Sequence, residues 1–185
     1  MSESIGNESG ELQRTEASGR RFREAPLPSG IAGRLFLDEM PGRHGPLGDA
    51  WAAVEAARVS CIVCLAGKLE IEAKSPTYAA AIARGEVPCD RIECPIVDFG
   101  VPKDAASLRA VAESVAGRLR AGERVLVHCG AGRGRSGMFA ICVLLVLGAP
   151  LEEASTAASQ AKAGPETDQQ EDFVRRFVRD GSVEA

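Results

Sequence analysis

The stretch His128-Cys129-Gly130-Ala131-Gly132-Arg133-Gly134-Arg135-Ser136-Gly137 holds the residues best suited to chemistry. A cysteine is followed by glycines at every second position (Gly130, Gly132, Gly134), then by an arginine and a hydroxyl. Glycines let the backbone wrap closely round a ligand, so that successive N–H groups point inward as an anion nest. A helix beginning near Ser136 adds the positive end of its dipole to the same place. Arg135 closes the nest with a planar fork that matches two phosphate oxygens, a geometry lysine does not copy. The same surroundings favour an anionic sulfur, which makes Cys129 a candidate nucleophile. The Ser136 hydroxyl stands where it can donate a hydrogen bond to that sulfur and later help it leave. His128 either orders the loop or is a satisfied histidine at a strand end.

Three other readings of this stretch are weaker. Gly132-x-Gly134-x-x-Gly137 matches the dinucleotide fingerprint, but that fingerprint needs an acidic residue at the end of the next strand. Glu152 and Glu153 fall in a helical stretch instead. A nucleotide-binding Walker loop needs Gly-Lys-Ser/Thr, which is absent. An ordinary strand–turn–helix leaves two arginines in a glycine loop without a purpose.

The loop requires a strand before it and a helix after it. Arg124–His128 reads as that strand and Ser136–Leu147 as an apolar helix. Upstream, Gly33–Leu37 reads as a short strand, Pro41–Pro46 as a loop and Asp49–Arg58 as a helix. Cys61–Leu65 is an apolar run of the kind buried on both faces of a sheet. Ser75-Pro76 opens a helix through Arg84, since proline suits a first turn. Arg91–Val97 is the next strand, Asp98–Lys103 a loop, and Asp104 can cap a helix to about Arg120. Pro150 starts another helix, and Asp168–Arg179 is a last amphipathic one. This alternation predicts an α/β fold with a mostly parallel central sheet flanked by helices. Residues 1–26 read as a disordered polar tail and 27–185 as one domain.

Composition narrows the function classes. With 45% hydrophobic and 26% charged residues, the chain of 185 residues reads as an ordinary soluble domain. Its net charge of -4 gives no global basic field, so no nucleic-acid partner is expected, although a small site can be locally positive. The longest apolar run, Met138–Leu147, is too short to span a bilayer, and no secretory signal is visible. A cytoplasmic address is expected. Cys61 and Cys64 form a C-x-x-C inside an apolar run with no second pair, and the only histidines are His44 and His128. Reduced thiols are therefore expected rather than disulfides or zinc, and no metal or cofactor is called for. Oligomeric state leaves no trace in the sequence.

The segment His128–Gly137 resembles the His-Cys-x5-Arg-Ser/Thr signature of the protein-tyrosine phosphatase superfamily. The layout from about Gly33 to Val178 is similar to that of small dual-specificity phosphatases, particularly the cyclin-dependent-kinase-associated kind. The resemblance implies a phosphotyrosine protein phosphatase-like fold and a phosphoric monoester hydrolase acting through a phosphocysteine intermediate. Phosphotyrosine and other phosphoprotein side chains are the implied substrates. The alternatives are a polyphosphorylated substrate (a phosphoinositide, an inositol polyphosphate or an RNA 5′ end) and a non-catalytic phosphate-binding module.

Further residues enter through the same resemblance. Pro95-Ile96-Val97-Asp98-Phe99-Gly100 is similar to the family's acid loop, which makes Asp98 the proton donor. Asp104 is the runner-up, or simply a helix cap. Gln170, three residues before Phe173, resembles the glutamine that positions hydrolytic water, or is a solvated residue at a helix start. Cys64 stands where relatives carry a cysteine able to form a disulfide with the nucleophile, or is a small core side chain. Arg133 is basic, as in the inositol-lipid branch, and suits a substrate with several phosphates. It could equally face solvent or pair a carboxylate, and Gly130 occupies the position of that branch's second basic residue.

Overall fold

The computed structural model describes residues 22–181, with side chains to residue 179. Five strands form one sheet in the order β1-β2-β5-β3-β4. They are β1 (Arg23–Ala25), β2 (Arg34–Asp38), β3 (Cys61–Cys64), β4 (Asp90–Glu93) and β5 (Arg124–His128). Only β1 is antiparallel; the pairs β2–β5, β5–β3 and β3–β4 are parallel. The helices are α1 (Leu47–Ala56), α2 (Lys68–Lys74), α3 (Pro76–Arg84), α4 (Ala105–Arg120), α5 (Gly134–Val146), α6 (Leu151–Gln160) and α7 (Asp168–Gly181).

Strand alternation divides the core into two layers, because successive side chains point to opposite faces. Leu35, Leu37, Cys61, Val63, Val125 and Val127 meet α4–α7 through residues such as Leu108, Val115, Phe139, Ala154 and Phe173. Phe36, Ile62 and Leu126 face α1 through Val54, while Cys64 joins Met40, Ile71 and Tyr78. The sheet is thus covered on both sides, as parallel strands require. Helix α5 is buried along Gly134–Leu144, which explains why its apolar residues form a block rather than a stripe. Among the described residues no helix is long and apolar enough to cross a membrane.

Four departures from the sequence reading bear on the site. Strand β1 lies within the segment read as a tail. Arg23 pairs with Leu37 and Ala25 with Leu35, so the ordered fold begins before residue 27; residues 1–21 lie outside the described part. Three residues are too few to carry an alternation signal. Helix α2 was not foreseen, because its seven residues are mostly charged and begin at Gly67 without a side-chain cap. Helix α5 starts at Gly134 rather than Ser136, so Arg135 belongs to its first turn instead of preceding it. The β4 ladder stops at Glu93 rather than Val97, since Pro95 has no N–H to donate.

Candidate active site

The loops after the parallel strands converge at the carboxyl edge of the sheet, where ligands settle in folds of this type. The β5–α5 loop delivers Cys129, Ala131, Arg133, Gly134 and Arg135 to a cavity of about 450 Å³. The β4–α4 loop brings Asp98 and Phe99, and helix α2 brings Lys74. Glu39, Arg43 and His44 come from the β2–α1 loop and Glu166 from the α6–α7 loop.

Cys129 sits at the bottom of this cavity, 3% exposed, and its sulfur accepts the Gly132 N–H at 3.2 Å. Gly132 has φ +69, and a Cβ there would lie 2.1 Å from the Asp38 carbonyl oxygen, so both backbone conformation and space demand glycine. The loop is held from outside. Met40 N–H donates to the Gly130 carbonyl at 3.1 Å. Arg23 donates to the Gly132 carbonyl at 2.7 Å and to the carbonyls of Ala161 and Lys162 at the end of α6. The Ser136 hydroxyl is buried and has no hydrogen-bond partner among the described residues. Leaving such a group unsatisfied costs about 1–3 kcal/mol, a cost tolerated where function needs a free donor.

Arg135, only 2% exposed, is oriented from behind by a residue the sequence reading missed. Its two terminal nitrogens donate to the two carboxylate oxygens of Glu70 at 2.7 and 2.8 Å, and one also reaches the Ile96 carbonyl at 2.9 Å. The other donates to Asp98 Oδ1 at 2.6 Å. Lys74 then joins the two acids, 2.8 Å from Glu70 and 3.0 Å from Asp98. Burial alone would raise the Glu70 carboxyl, but the bonds from Arg135 and Lys74 outweigh it and hold the group at about 2. Glu70 and Lys74 are four apart on α2, a spacing equally common on solvated helix faces. Only the approach of Arg135 sets this pair apart.

His128 lies beneath the loop, fully buried. Its Nδ1 is 3.2 Å from the Cys129 carbonyl, an acceptor, so Nδ1 carries the proton and Nε2 accepts from the Tyr78 hydroxyl at 3.0 Å. Burial holds His128 down to about 4, from its ordinary 6.5. Between these values the unfolded chain binds a proton that the folded one refuses, so stability falls as pH drops from about 6.5 toward 4. The expected loss is on the order of 3 kcal/mol. Glu70 acts lower: its contribution, complete above its ordinary 4.5, is lost as pH falls through about 2. Urea unfolding between pH 7 and 4 should report the His128 limb, and His128→Asn should flatten it. An equally steep limb in that variant would assign the pH dependence to other groups.

The remaining candidates separate clearly. Asp104 is occupied at the start of α4, accepting from the Ala106 N–H at 3.0 Å and from the Ser107 hydroxyl, and does not line the cavity. Gln170 is buried rather than solvated. Its Nε2 donates to the Gly100 carbonyl at 3.0 Å and its Oε1 accepts the Glu166 N–H at 2.9 Å, so it ties the acid loop to the α6–α7 loop. Thr167 adds a bond to the Phe99 carbonyl, and Phe99, with φ +58, is held in a backbone conformation bulky residues avoid. Cys64 bonds the Ala66 carbonyl and packs beside Tyr78, in a different apolar cluster from Cys129. Burial raises its thiol above the ordinary range. Arg133 lines the cavity beside Cys129.

A mostly parallel sheet whose central strand ends at a cysteine, followed by a glycine nest and an arginine in the first turn of a buried helix, defines the dual-specificity branch of the protein-tyrosine phosphatase superfamily. The family model described as "PTP-SAK: Swiss Army Knife protein, DSP-PTPase phosphatase domain" matches residues 47–185, and the chain belongs to that family. The fold is similar to that of kinase associated phosphatase, at 19% identity and a TM-score of 0.73, over 90% of this chain and 99% of that one. It is also similar to Tk-PTP in the active form (24% identity, TM-score 0.64, 85% and 97% covered). A third likeness is to PTPMT1 in complex with PI(5)P (20% identity, TM-score 0.65, 80% and 92% covered). At these identities the likeness is one of fold. No curated protein matches the chain in sequence.

Proposed function

We propose that this protein is a phosphatase that cleaves phosphomonoesters through a covalent phosphocysteine on Cys129. The observation that carries the reading is the meeting of the Cys129 sulfur, the Arg135 fork and the Asp98 carboxylate at one cavity. In the first step sulfur forms a bond to phosphorus while the ester P–O bond breaks, and the departing oxygen takes a proton from Asp98. The phosphoryl oxygens lie in the nest and on Arg135, which gives up its bond to Asp98 as it takes them. In the second step a water oxygen bonds phosphorus, the S–P bond breaks, and Asp98 recovers a proton from the water. Ser136 donates to the sulfur as it departs. Glu70 positions Arg135 from behind, and Lys74 positions Asp98.

Phosphotyrosine and other phosphorylated protein side chains are the first substrate reading, on the strength of the signature. A second reading, a substrate with more than one phosphate, is favoured by two arginine side chains at the cavity, Arg43 and Arg133, that have no ion pair among the described residues. Asp98 argues against a mere phosphate-binding module, which has no use for a proton donor. Six free cysteines suit a reducing cytoplasm. The chemistry requires no metal, so para-nitrophenyl phosphate should be turned over as fast in excess chelator as without it. Absence of turnover, or its loss on chelation with recovery on adding a divalent metal, would reject this reading.

A further inference from the structure

The Arg23 guanidinium joins two elements that lie far from it in sequence. One terminal nitrogen donates to the carbonyls of Ala161 and Lys162, at 3.2 and 3.0 Å, where α6 ends. The other donates to the Gly132 carbonyl of the nest at 2.7 Å. The first two bonds cap a helix, since a cation at a C-terminus satisfies carbonyls that have no intrahelical partner. Capping has no use for the third bond.

Both ends of this bridge are fixed. Arg23 stands opposite Leu37 in the β1–β2 ladder, with the Phe22 ring against that of Phe36 (centroids 5.8 Å apart) and Ala25 buried. The chain leaving α6 rests on α5, so closely that a Cβ on Gly137 would lie 2.1 Å from the Gly164 nitrogen. Gly132 is enclosed as tightly: a Cβ there would meet the Asp38 carbonyl oxygen at 2.1 Å and the Arg23 guanidinium at 2.5 Å.

The third bond acts on the peptide that joins Gly132 to Arg133. This peptide is trans, so its carbonyl and its N–H point in opposite directions. With the Gly132 carbonyl turned outward to Arg23, the Arg133 N–H is turned the other way, toward the cavity that Arg133 lines. The preceding N–H, that of Gly132, already meets the Cys129 sulfur there. A bond to the carbonyl also polarises the amide and strengthens its N–H as a donor.

Resting on the Cys129 chemistry proposed above, we infer that Arg23 is a positioning residue for phosphoryl transfer, which aims the Arg133 N–H at the phosphoryl oxygens while it caps α6. It acts through the Gly132–Arg133 peptide and makes no contact with the phosphate. Two nitrogens set in one plane are needed to hold both partners at once, a geometry that a lysine ammonium lacks.

The test measures kcat and KM for para-nitrophenyl phosphate, and inhibition by vanadate, in Arg23→Ala and Arg23→Lys. A donor set in advance counts most in the transition state. In Arg23→Ala kcat should therefore fall about 10–10²-fold while KM changes less than about threefold. Vanadate binding should weaken with kcat, because vanadate copies the transition state. Arg23→Lys should show a smaller fall of the same kind with a urea unfolding midpoint near wild type, which keeps the test open if the alanine variant does not fold. Millimolar guanidinium should restore part of the lost kcat in Arg23→Ala, and sodium at equal ionic strength should not. Glu24→Gln, which breaks the Glu24–Arg34 pair on the same strand, should leave kcat unchanged. A kcat close to wild type in the folded Arg23 variants overturns the inference. A loss confined to KM, or one that Glu24→Gln reproduces, leaves Arg23 a helix cap and overturns it too. Absence of aryl phosphate turnover in wild type would sink the Cys129 chemistry and this role with it, whereas the other outcomes fall on Arg23 alone.

Discussion

Cys129→Ser is expected to reduce turnover by about 10⁴-fold or more while leaving phosphate binding nearly intact. The sulfur accepts the Gly132 N–H at 3.2 Å inside the nest, and a serine oxygen fits the same space. A hydroxyl at neutral pH, however, supplies almost none of the anionic nucleophile that a thiol supplies. Binding should survive because the inward N–H groups and the Arg135 fork are untouched. Vanadate, which adopts the trigonal bipyramid of the phosphoryl transition state, should compete with substrate in wild type. Single-turnover and equilibrium-binding measurements on the serine variant separate the two effects. Turnover within tenfold of wild type would remove Cys129 from the nucleophile's role.

Asp98→Asn carries the second large effect, a fall of roughly 10²–10⁴-fold on esters with poor leaving groups. On activated aryl phosphates the loss should be smaller, since such a phenoxide departs without help. Asp98 is the carboxylate that reaches Arg135 at 2.6 Å in the cavity, whereas Asp104 is engaged at the start of α4. Asparagine caps helices as well as aspartate does, so Asp104→Asn should leave both stability and leaving-group dependence nearly unchanged. Plotting kcat/KM against leaving-group acidity for both variants distinguishes them. A steepened plot for Asp104→Asn with an unaltered one for Asp98→Asn would exchange their roles.

Much of the architecture was legible because its signals are local. The helix Ala105–Arg120 was readable from its capped start and the strand read as Cys61–Leu65 from its apolar run, which the structure ends one residue earlier at Cys64. The strand-to-helix turn at Cys129 was equally open to reading, since nest, cysteine, arginine and hydroxyl lie in one continuous segment. Their geometry follows from the backbone that joins them. What failed were short or polar elements. Strand β1 is only three residues long, and α2 is a charged turn whose stability comes from packing Ile71 beside Tyr78 and Met40.

The sequence by itself supplied the candidate groups of the nest: one sulfur, one fork, one hydroxyl and a run of glycines. The tertiary structure decided what orients and limits that chemistry. Glu70 reaches Arg135 across 65 positions of sequence, Asp98 across 37, and Arg23 braces the Gly132 carbonyl across 109. The loop bearing Arg43 meets the nest through Met40, whose N–H donates to the Gly130 carbonyl. None of these pairings has a local signature, because an acid or an arginine reads alike whether it faces water or a buried partner. The parallel register of β2, β5, β3 and β4 is what carries the ends of separate segments to one edge. Charge and hydrogen-bond geometry select among them only after the sheet has formed.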